Sequence, residues 1–450
     1  MSILDTLLGK PLASSQEEEQ KIGVAAGVPI LGLDGLSSSA YGPEAALTIL
    51  MPLGTVGLTY IGPIIVVILA LLTILYFSYR QTIAAYPGGG GSYTVAKENL
   101  GLRAGLLAAA ALMLDYVLNV AVGISAGIGA LVSAVPMLHP YTLSLCLITL
   151  AIITLVNLRG VRESGIVFGL PTYLFVGSLL VVLGIGAVST LMQGGHPTPV
   201  VAPAPLPASV TAASIWLVLR AFASGCTAMT GVEAVSNGVT AFAQPAVRNA
   251  QRTLTVIVVI LAVLLVGIAY LSQAYGIGAM DQAHDGYQTV ISQLVSAVVG
   301  RGLFYYVAIA SVLAVLALSA NTSFAGFPRL CRLIADDNFL PHAFTAQGRR
   351  LVHSVGIRPL RGLAHRLRRH HRSVDPAVCR GRLWRLHALA GRHGDALAGR
   401  EGPGSRPGVG GQRRRCGRHG DRTRRHPDRQ VRGGRLDHPA AGPGHAPALH

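Results

Sequence analysis

The chain has 450 residues, of which 51% are hydrophobic and only 13% are charged. This balance excludes an ordinary soluble globular protein and predicts a polytopic membrane protein with the lipid bilayer as its partner. The net charge of +17 would suggest a nucleic-acid partner, but the last hundred residues hold 22 Arg and only 6 acidic residues. Because the excess charge is confined to that stretch, we expect no nucleic-acid partner for the core.

The order of the segments predicts three regions. Residues 1–22 are polar and acidic, without the basic start and apolar run of a signal peptide, so we expect a cytosolic N-terminal segment. Residues 23–355 form the predicted membrane core. It contains eight hydrophobic segments of roughly the length that crosses a bilayer, at about 23–50, 56–79, 100–134, 140–157, 164–191, 211–241, 253–278 and 303–325.

Basic residues mark one side of the predicted membrane core. Arg80, Lys97, Arg248 and Arg329 all fall in or beside connections on the same side, whereas the long connection at 192–209 has no Lys or Arg. The positive-inside bias therefore predicts a multi-pass protein of the cell membrane with a cytoplasmic N-terminus.

The third region, residues 356–450, has an abnormal composition. After Ile357 it contains no Ile, and from residue 351 onward it contains no Phe, Tyr, Met, Asn or Lys. These residues have AT-rich codons, so their joint absence favours a GC-rich message read in the wrong frame. The last 21 residues can be back-translated so that a one-nucleotide shift gives a basic residue and an apolar helix. An Arg-rich tail that binds anionic partners and a disordered extension are the alternatives.

Two of the predicted spans are interrupted by polar residues and helix breakers. The first contains GLDGLSSSAYGPEA, with Asp34, Tyr41 and Glu44, and the sixth contains ASGCTAMTGVEAVSNG, with Thr230 and Glu233. Irregular backbone inside a bilayer survives only where it lines a protein or water-filled cavity. Interrupted spans at matching positions of two five-helix halves are typical of a secondary transporter with a binding site near the membrane midplane.

The third span adds a polar stripe. Tyr116, Asn119 and Gly123 are spaced by three and four residues, which places them on one face of a helix. The eighth span adds Asn321, Thr322 and Ser323. Clustered carboxylates, hydroxyls and carbonyls suit a hard cation such as K⁺, and an intramembrane acid suits a proton carrier. No Walker loop, catalytic nucleophile or metal cluster is present in the sequence, so we expect neither an enzyme nor a resident cofactor.

These motifs, together with YPGGGGSYTVAKENLG and FPRLCRLIADDNFLPHAF, resemble the amino acid-polyamine-organocation (APC) superfamily and, within it, the KimA-type potassium importers. The resemblance covers about residues 15–355. It implies an all-α, LeuT-like inverted-repeat fold with discontinuous first and sixth helices, truncated here after about eight transmembrane helices. It also implies potassium uptake by K⁺:H⁺ symport.

The resemblance implies roles for individual residues. Asp34, Tyr41, Tyr116 and Thr230 match positions that hold K⁺, and Glu233, which also belongs to the ion-binding set, matches the proton-coupled position. Asn119 also falls in the ion-binding set, but it and Gly123 stand where the family has a Thr and a Ser, which puts affinity or selectivity in doubt. The family forms homodimers through a cytosolic domain that this chain does not match, so a dimer is doubtful.

Several alternatives stay open at this point. The chain can be an amino-acid permease of the same superfamily or a non-functional truncated transporter product. Glu44, which follows Gly-Pro, is expected to be structural and to pair with a helix N-terminus. The glycine-rich YPGGGGS lacks the ending of a phosphate-binding loop, so a flexible cytosolic loop is expected there.

Overall fold

The structure, a computed structural model, describes residues 21–89, 91–158, 165–283, 286–341 and 344. Nearly all of the predicted N-terminal segment and the whole of the predicted tail at 356–450 lie outside these residues, and so do the last residues of the predicted core. Within the described residues the structure is helical. The one strand-like feature among them is a parallel bridge between Ile22 and Phe242.

Twelve α-helices follow one another along the described residues. They are α1 (Val24–Leu31), α2 (Leu33–Leu50), α3 (Thr55–Ala85), α4 (Ser92–Leu100), α5 (Leu102–Ala134), α6 (Thr142–Leu158), α7 (Gly165–Met192), α8 (Ile215–Gly225), α9 (Ala234–Asn237), α10 (Ala246–Ala274), α11 (Val290–Val299) and α12 (Leu303–Asp336). Short 3₁₀ helices occupy Met51–Leu53, Pro136–Tyr141, Cys226–Met229 and Val239–Ala241.

The prediction of an all-α polytopic membrane protein is confirmed. Within the described residues, seven helical segments are long and apolar enough to cross a membrane. The first predicted span is split into the shorter helices α1 and α2, and together with these seven segments it makes up the eight predicted spans. Large apolar side chains such as Leu147, Ile148 and Ile152 of α6 are exposed, as they are on a helix that faces lipid.

The two predicted interruptions have different lengths. The first span is interrupted only at Gly32, between α1 and α2. In the sixth span, the residues between Gly225, where α8 ends, and Ala234, where α9 begins, are not α-helical. Both interruptions lie where the sequence predicts them, and they face each other across the core.

Glycines allow the helices around these interruptions to approach closely. A Cβ atom at Gly42 of α2 would lie 2.5 Å from the Cβ of Ala228 in the sixth span. A Cβ at Gly123 of α5 would lie 3.1 Å from both the Leu316 carbonyl oxygen and the Ser319 Oγ of α12. The first span therefore packs closely on the sixth, and the third packs closely on the eighth.

Two short helices are not predicted by the sequence. Helix α4 follows the glycine-rich turn, and α11 lies between the seventh and eighth spans. Each is ten residues or shorter, so neither meets the length that marks a membrane span. The predicted flexible loop at YPGGGGS is therefore shorter than expected, because a helix begins at Ser92.

Candidate functional site

Asp34 lies in the first turn of α2, and its side chain is buried. Among the described residues, its Oδ1 atom has no hydrogen-bond partner. Gly231 of the sixth span lies directly against this carboxylate, since a Cβ there would come within 2.7 Å of the Asp34 Oδ2. The φ of Gly231 is +80°, a conformation that strongly favours glycine. The Asp34 carboxylate of one interrupted helix therefore packs directly on the backbone of the other, at a position where glycine leaves room for it.

The sixth span is unwound around Gly231. Its 3₁₀ turn ends at Met229, Thr230 is extended with a ψ of 150°, and Glu233 precedes α9. Among the described residues, no backbone hydrogen bond reaches the carbonyl oxygen of Thr230. This oxygen faces α2, where a Cβ at Gly35 would lie 3.6 Å from it. The unwound segment thus offers a backbone oxygen next to the Asp34 carboxylate.

Ser38 of α2 stabilises the same unwound segment. Its Oγ lies 2.6 Å from the carbonyl oxygen of Ala228 and 2.6 Å from that of Gly35. Because the unwound backbone cannot satisfy the Ala228 carbonyl with helical bonds, the hydroxyl takes that role. Sequence reasoning counted Ser38 only as one of three serines and missed this contact.

A chain of polar contacts joins Tyr41 to three other spans. The Tyr41 hydroxyl lies 3.1 Å from the Thr230 Oγ1 and donates to the Asn119 Oδ1 at 3.4 Å. The Asn119 amide in turn donates from its Nδ2 to the Ser323 Oγ of α12 at 3.4 Å. Asn119 also lies within hydrogen-bonding reach of the Asp34 carboxylate. The structure therefore brings Asp34, Tyr41, Asn119 and Thr230 together.

The other two predicted site residues lie nearby, but no hydrogen bond among the described residues joins their side chains to these four. Glu233 is 9% exposed, and its carboxylate lies near the backbone amide of Gly231. Tyr116 is buried, and its ring packs on Gly326 of α12, where a Cβ would come within 2.9 Å of the phenol oxygen. Both residues therefore lie beside the group formed by Asp34, Tyr41, Asn119 and Thr230.

The acidic side chains in this region repel one another. Asp34 and Glu233 interact unfavourably through space, and both also interact with Asp115 of α5. No salt bridge within the described ranges reaches any of these three carboxylates, since the two ion pairs found there involve Asp336 and Asp337. Buried acids without counter-charges attract cations or protons. The arrangement is chemically suited to a small cation and poorly suited to an anion.

Glu44 has a separate role, in the second half of α2. Its Oε1 accepts a hydrogen bond from the Tyr287 hydroxyl at 2.9 Å, and its Oε2 accepts one from the backbone amide of Val290 at 3.2 Å. Val290 is the first residue of α11. The expectation that Glu44 pairs with a helix N-terminus is confirmed, and this carboxylate ties the first span to α11.

A third cluster lies outside the spans, where α4 meets the end of α12. Lys97 Nζ lies 2.6 Å from Asp337 Oδ1, and the Tyr93 hydroxyl donates to the other carboxylate oxygen of Asp337. The hydrogen bond from Lys97, followed by that from Tyr93, lowers the pKa of Asp337 below its ordinary value. These contacts fasten the connection between the second and third spans to the eighth.

Comparisons with known proteins agree with this architecture. A family model described as amino acid permease matches residues 34–357. The chain is also similar to the potassium transporter KimA of Bacillus subtilis (strain 168), with 43% identity over 360 residues. That alignment covers 79% of this chain but 58% of the relative, so the chain corresponds to well under two thirds of the relative's length.

Proposed function

Since the chain belongs to the amino acid permease family of the APC superfamily, we propose that it is a secondary transporter that takes up potassium by K⁺:H⁺ symport. In this proposal K⁺ binds between the two interrupted helices. The protein resides in the cell membrane with its N-terminus in the cytoplasm. The transported ions are its ligands, and no further cofactor is involved.

The buried carboxylate of Asp34, which has no counter-charge in the part of the chain that the structure describes, is the observation that carries the proposal. It is buried among apolar helices, and its Oδ1 has no hydrogen-bond partner within the described residues. A charged group in such surroundings is costly unless a counter-ion or a proton accompanies it. The name of the potassium-transporting relative indicates which cation to test first.

Oxygen atoms around Asp34 complete the proposed ion site. Tyr41, Thr230 and Asn119 supply side-chain oxygens, and the Thr230 carbonyl supplies a backbone oxygen. Tyr116, on α5, is the remaining proposed oxygen donor through its phenol oxygen. K⁺ sites in proteins replace the hydration shell with several such oxygens.

Glu233 has the proposed role of the proton-coupled group. It is buried beside the unwound segment, and its charge acts on Asp34. A bound K⁺ at Asp34 therefore changes the free energy of protonating Glu233, and protonation changes K⁺ affinity by the same amount. This mutual dependence is the minimum requirement for coupling the two ions.

Binding and uptake of K⁺ by the full chain test the proposal. We expect KCl, but not equal concentrations of choline chloride, to raise the melting temperature of the purified protein saturably. We also expect uptake of ⁸⁶Rb⁺ into cells that lack their own potassium importers. Stabilisation and uptake with amino acids and without K⁺ would overturn the proposal in favour of an amino-acid permease.

The amino-acid permease alternative has one observation in its favour, the description of the matching family model. The structure argues against it, because an amino-acid α-carboxylate at the unwound segment would lie next to Asp34. A non-functional truncated product is the other alternative, since the chain matches 58% of its relative. K⁺ binding without ⁸⁶Rb⁺ uptake would support the ion site and favour that alternative for transport.

A further inference from the structure

We propose that Ser323 of α12 is a positioning residue that fixes the side-chain amide of Asn119, and that this pair tunes the cation selectivity of the site. The inference rests on the proposed function and adds to it a residue outside the expected ion-binding set. Ser323 is 2% exposed and Asn119 is 6% exposed, so water does not compete for their contact.

The close approach of α5 and α12 brings the two side chains together. Gly123 lies one turn after Asn119 on α5, and Gly127 lies one turn further. A Cβ at Gly123 would lie 3.1 Å from the Leu316 carbonyl oxygen, and one at Gly127 would lie 3.3 Å from the Leu316 Cβ. Because these positions lack side chains, α12 approaches α5 closely enough for the Ser323 hydroxyl to meet the Asn119 amide.

The orientation of an asparagine amide matters in a cation site. One end is an oxygen acceptor, which attracts a cation, and the other is an NH₂ donor, which repels it. In the structure the Nδ2 donates to the Ser323 Oγ, while the Oδ1 accepts from Tyr41. The NH₂ end also lies within hydrogen-bonding reach of the Asp34 carboxylate, so a cation that binds Asp34 displaces that contact and leaves Ser323 as the partner of the NH₂ end. Ser323 therefore holds the amide with its oxygen toward Tyr41.

The hydroxyl of Ser323 differs from the other buried serine hydroxyls of α12. Ser311 and Ser319 are also buried, but each donates to a carbonyl three residues earlier in its own helix, at 2.6 Å and 2.8 Å. The Ser323 side chain instead contacts another span. Ser311 therefore provides a matched control for removing a buried hydroxyl from α12 without touching the site.

Three variants test the pair by K⁺ and Rb⁺ titrations of the melting temperature of the full chain. We expect Ser323→Ala to weaken K⁺ binding about fivefold, the factor for one neutral hydrogen bond, and to change the K⁺/Rb⁺ affinity ratio. Ser311→Ala is expected to leave both unchanged. Ser323→Thr, which keeps the hydroxyl, is expected to retain at least half of the wild-type affinity.

A double-mutant cycle with Asn119→Ala separates positioning from direct binding. If Ser323 acts through Asn119, then adding Ser323→Ala to Asn119→Ala causes no further loss of K⁺ affinity. Additive losses would overturn the proposal and make Ser323 an independent ligand. An effect of Ser323→Ala no larger than that of Ser311→Ala would also overturn it.

The positioning role and the proposed function fail in different ways. If the wild-type protein shows no K⁺-dependent stabilisation, the proposed function fails. The ligand-free melting temperatures of the same variants then test the contact: additive shifts for Ser323→Ala and Asn119→Ala would overturn it, whereas non-additive shifts would retain it.

Discussion

The two interrupted helices differ in what they contribute to the site. At Gly32 the helical hydrogen bonds continue on both sides, from the Gly32 amide to the Val28 carbonyl and from the Leu36 amide to the Gly32 carbonyl. The first span therefore offers side chains, chiefly Asp34 and Tyr41. The sixth span is unwound from residue 226 to 233 and offers a backbone carbonyl as well as the Thr230 hydroxyl.

This difference shows that one interrupted helix supports the other. The first span, whose helical hydrogen bonds continue on both sides of Gly32, presents Ser38 and Asp34 from α2, and the Ser38 hydroxyl satisfies the Ala228 carbonyl of the unwound sixth span. Substitutions in the two spans should therefore have different effects.

The largest effect is expected from the acids themselves. We predict that Asp34→Asn weakens K⁺ binding at least about 30-fold, since losing a buried charged partner costs about 2 kcal/mol or more. Glu233→Gln should leave K⁺ binding measurable, weaken its dependence on pH to the part that Asp34 contributes, and abolish proton-driven uptake. Titrations at several pH values and ⁸⁶Rb⁺ uptake check both, with membrane insertion as the control. Normal transport by both variants would refute the site assignment.

The next largest effect is expected at Gly231. The variant Gly231→Ala places a Cβ 2.6 Å from the Asp34 Cγ and also strains a backbone whose φ is +80°. Gly276→Ala is the matched control, because Gly276 has a φ of +67° but open space around it. We expect about 1 kcal/mol of destabilisation for the control and more for Gly231→Ala, with at least tenfold weaker K⁺ binding in Gly231→Ala alone. Equal losses of K⁺ affinity in the two variants would mean that the position of the Asp34 carboxylate does not depend on the absence of a side chain at residue 231.

A smaller effect is expected from Ser38→Ala. It leaves the Ala228 carbonyl in the unwound segment without its partner, so we predict a loss of about 1–3 kcal/mol of stability. Ser39→Ala is the control, because Ser39 is equally buried and bonds only to the Leu36 carbonyl of its own helix. Thermal unfolding in detergent compares the two variants. If Ser39→Ala destabilises as much as Ser38→Ala, the sixth span does not depend on the first for support.

The smallest effect is expected at Asp337, which touches neither interruption and gives the baseline. We predict that Asp337→Asn lowers stability by less than about 1 kcal/mol at pH 7, because the pair with Lys97 is partly exposed. Since the pKa of Asp337 is lowered in the folded protein, its contribution is present above the ordinary Asp pKa of about 4 and is lost as pH falls below it.

The control for this pair is Asp336→Asn, which removes only a more exposed contact with Arg332 at 3.7 Å. Melting temperatures at pH 7 and pH 3.5 compare the variants with the wild type. The difference between wild type and Asp337→Asn should shrink at the lower pH. A difference that grows at low pH would contradict the assigned direction of the pKa shift.

The sequence predicts the spans and the location of the site well, because both depend on local patterns. Eight apolar segments of bilayer length are visible directly, and polar residues inside them are rare enough to mark the two interruptions. Helices α4 and α11 are missed because their ten or fewer residues fall below the length of a span.

The details of the interruptions are beyond the sequence because they depend on tertiary contacts. The two segments share a Gly-x-Glu-Ala pattern, yet only Gly231 has a positive φ, while Gly42 lies inside helix α2. The backbone conformation of the unwound segment around Gly231 depends on its contacts with Asp34 and Ser38, which are nearly 200 positions away in the sequence. The contact of Ser323 with Asn119 likewise depends on how closely α5 and α12 pack. Spacing along one helix contains no information about either distance.

The bridge at Ile22 has a consequence for movement. The Ile22 amide donates to the Ala241 carbonyl at 2.9 Å, and the Ala243 amide donates back to the Ile22 carbonyl at 2.9 Å. These bonds link Ile22, which lies just before α1, to the segment that follows α9, so these two parts of the chain cannot separate without breaking both hydrogen bonds. Because the two hydrogen bonds use only backbone atoms, most side-chain substitutions at Ile22 leave them in place. The strength of this link depends on water access, since water that reaches the two bonds replaces them at little net cost.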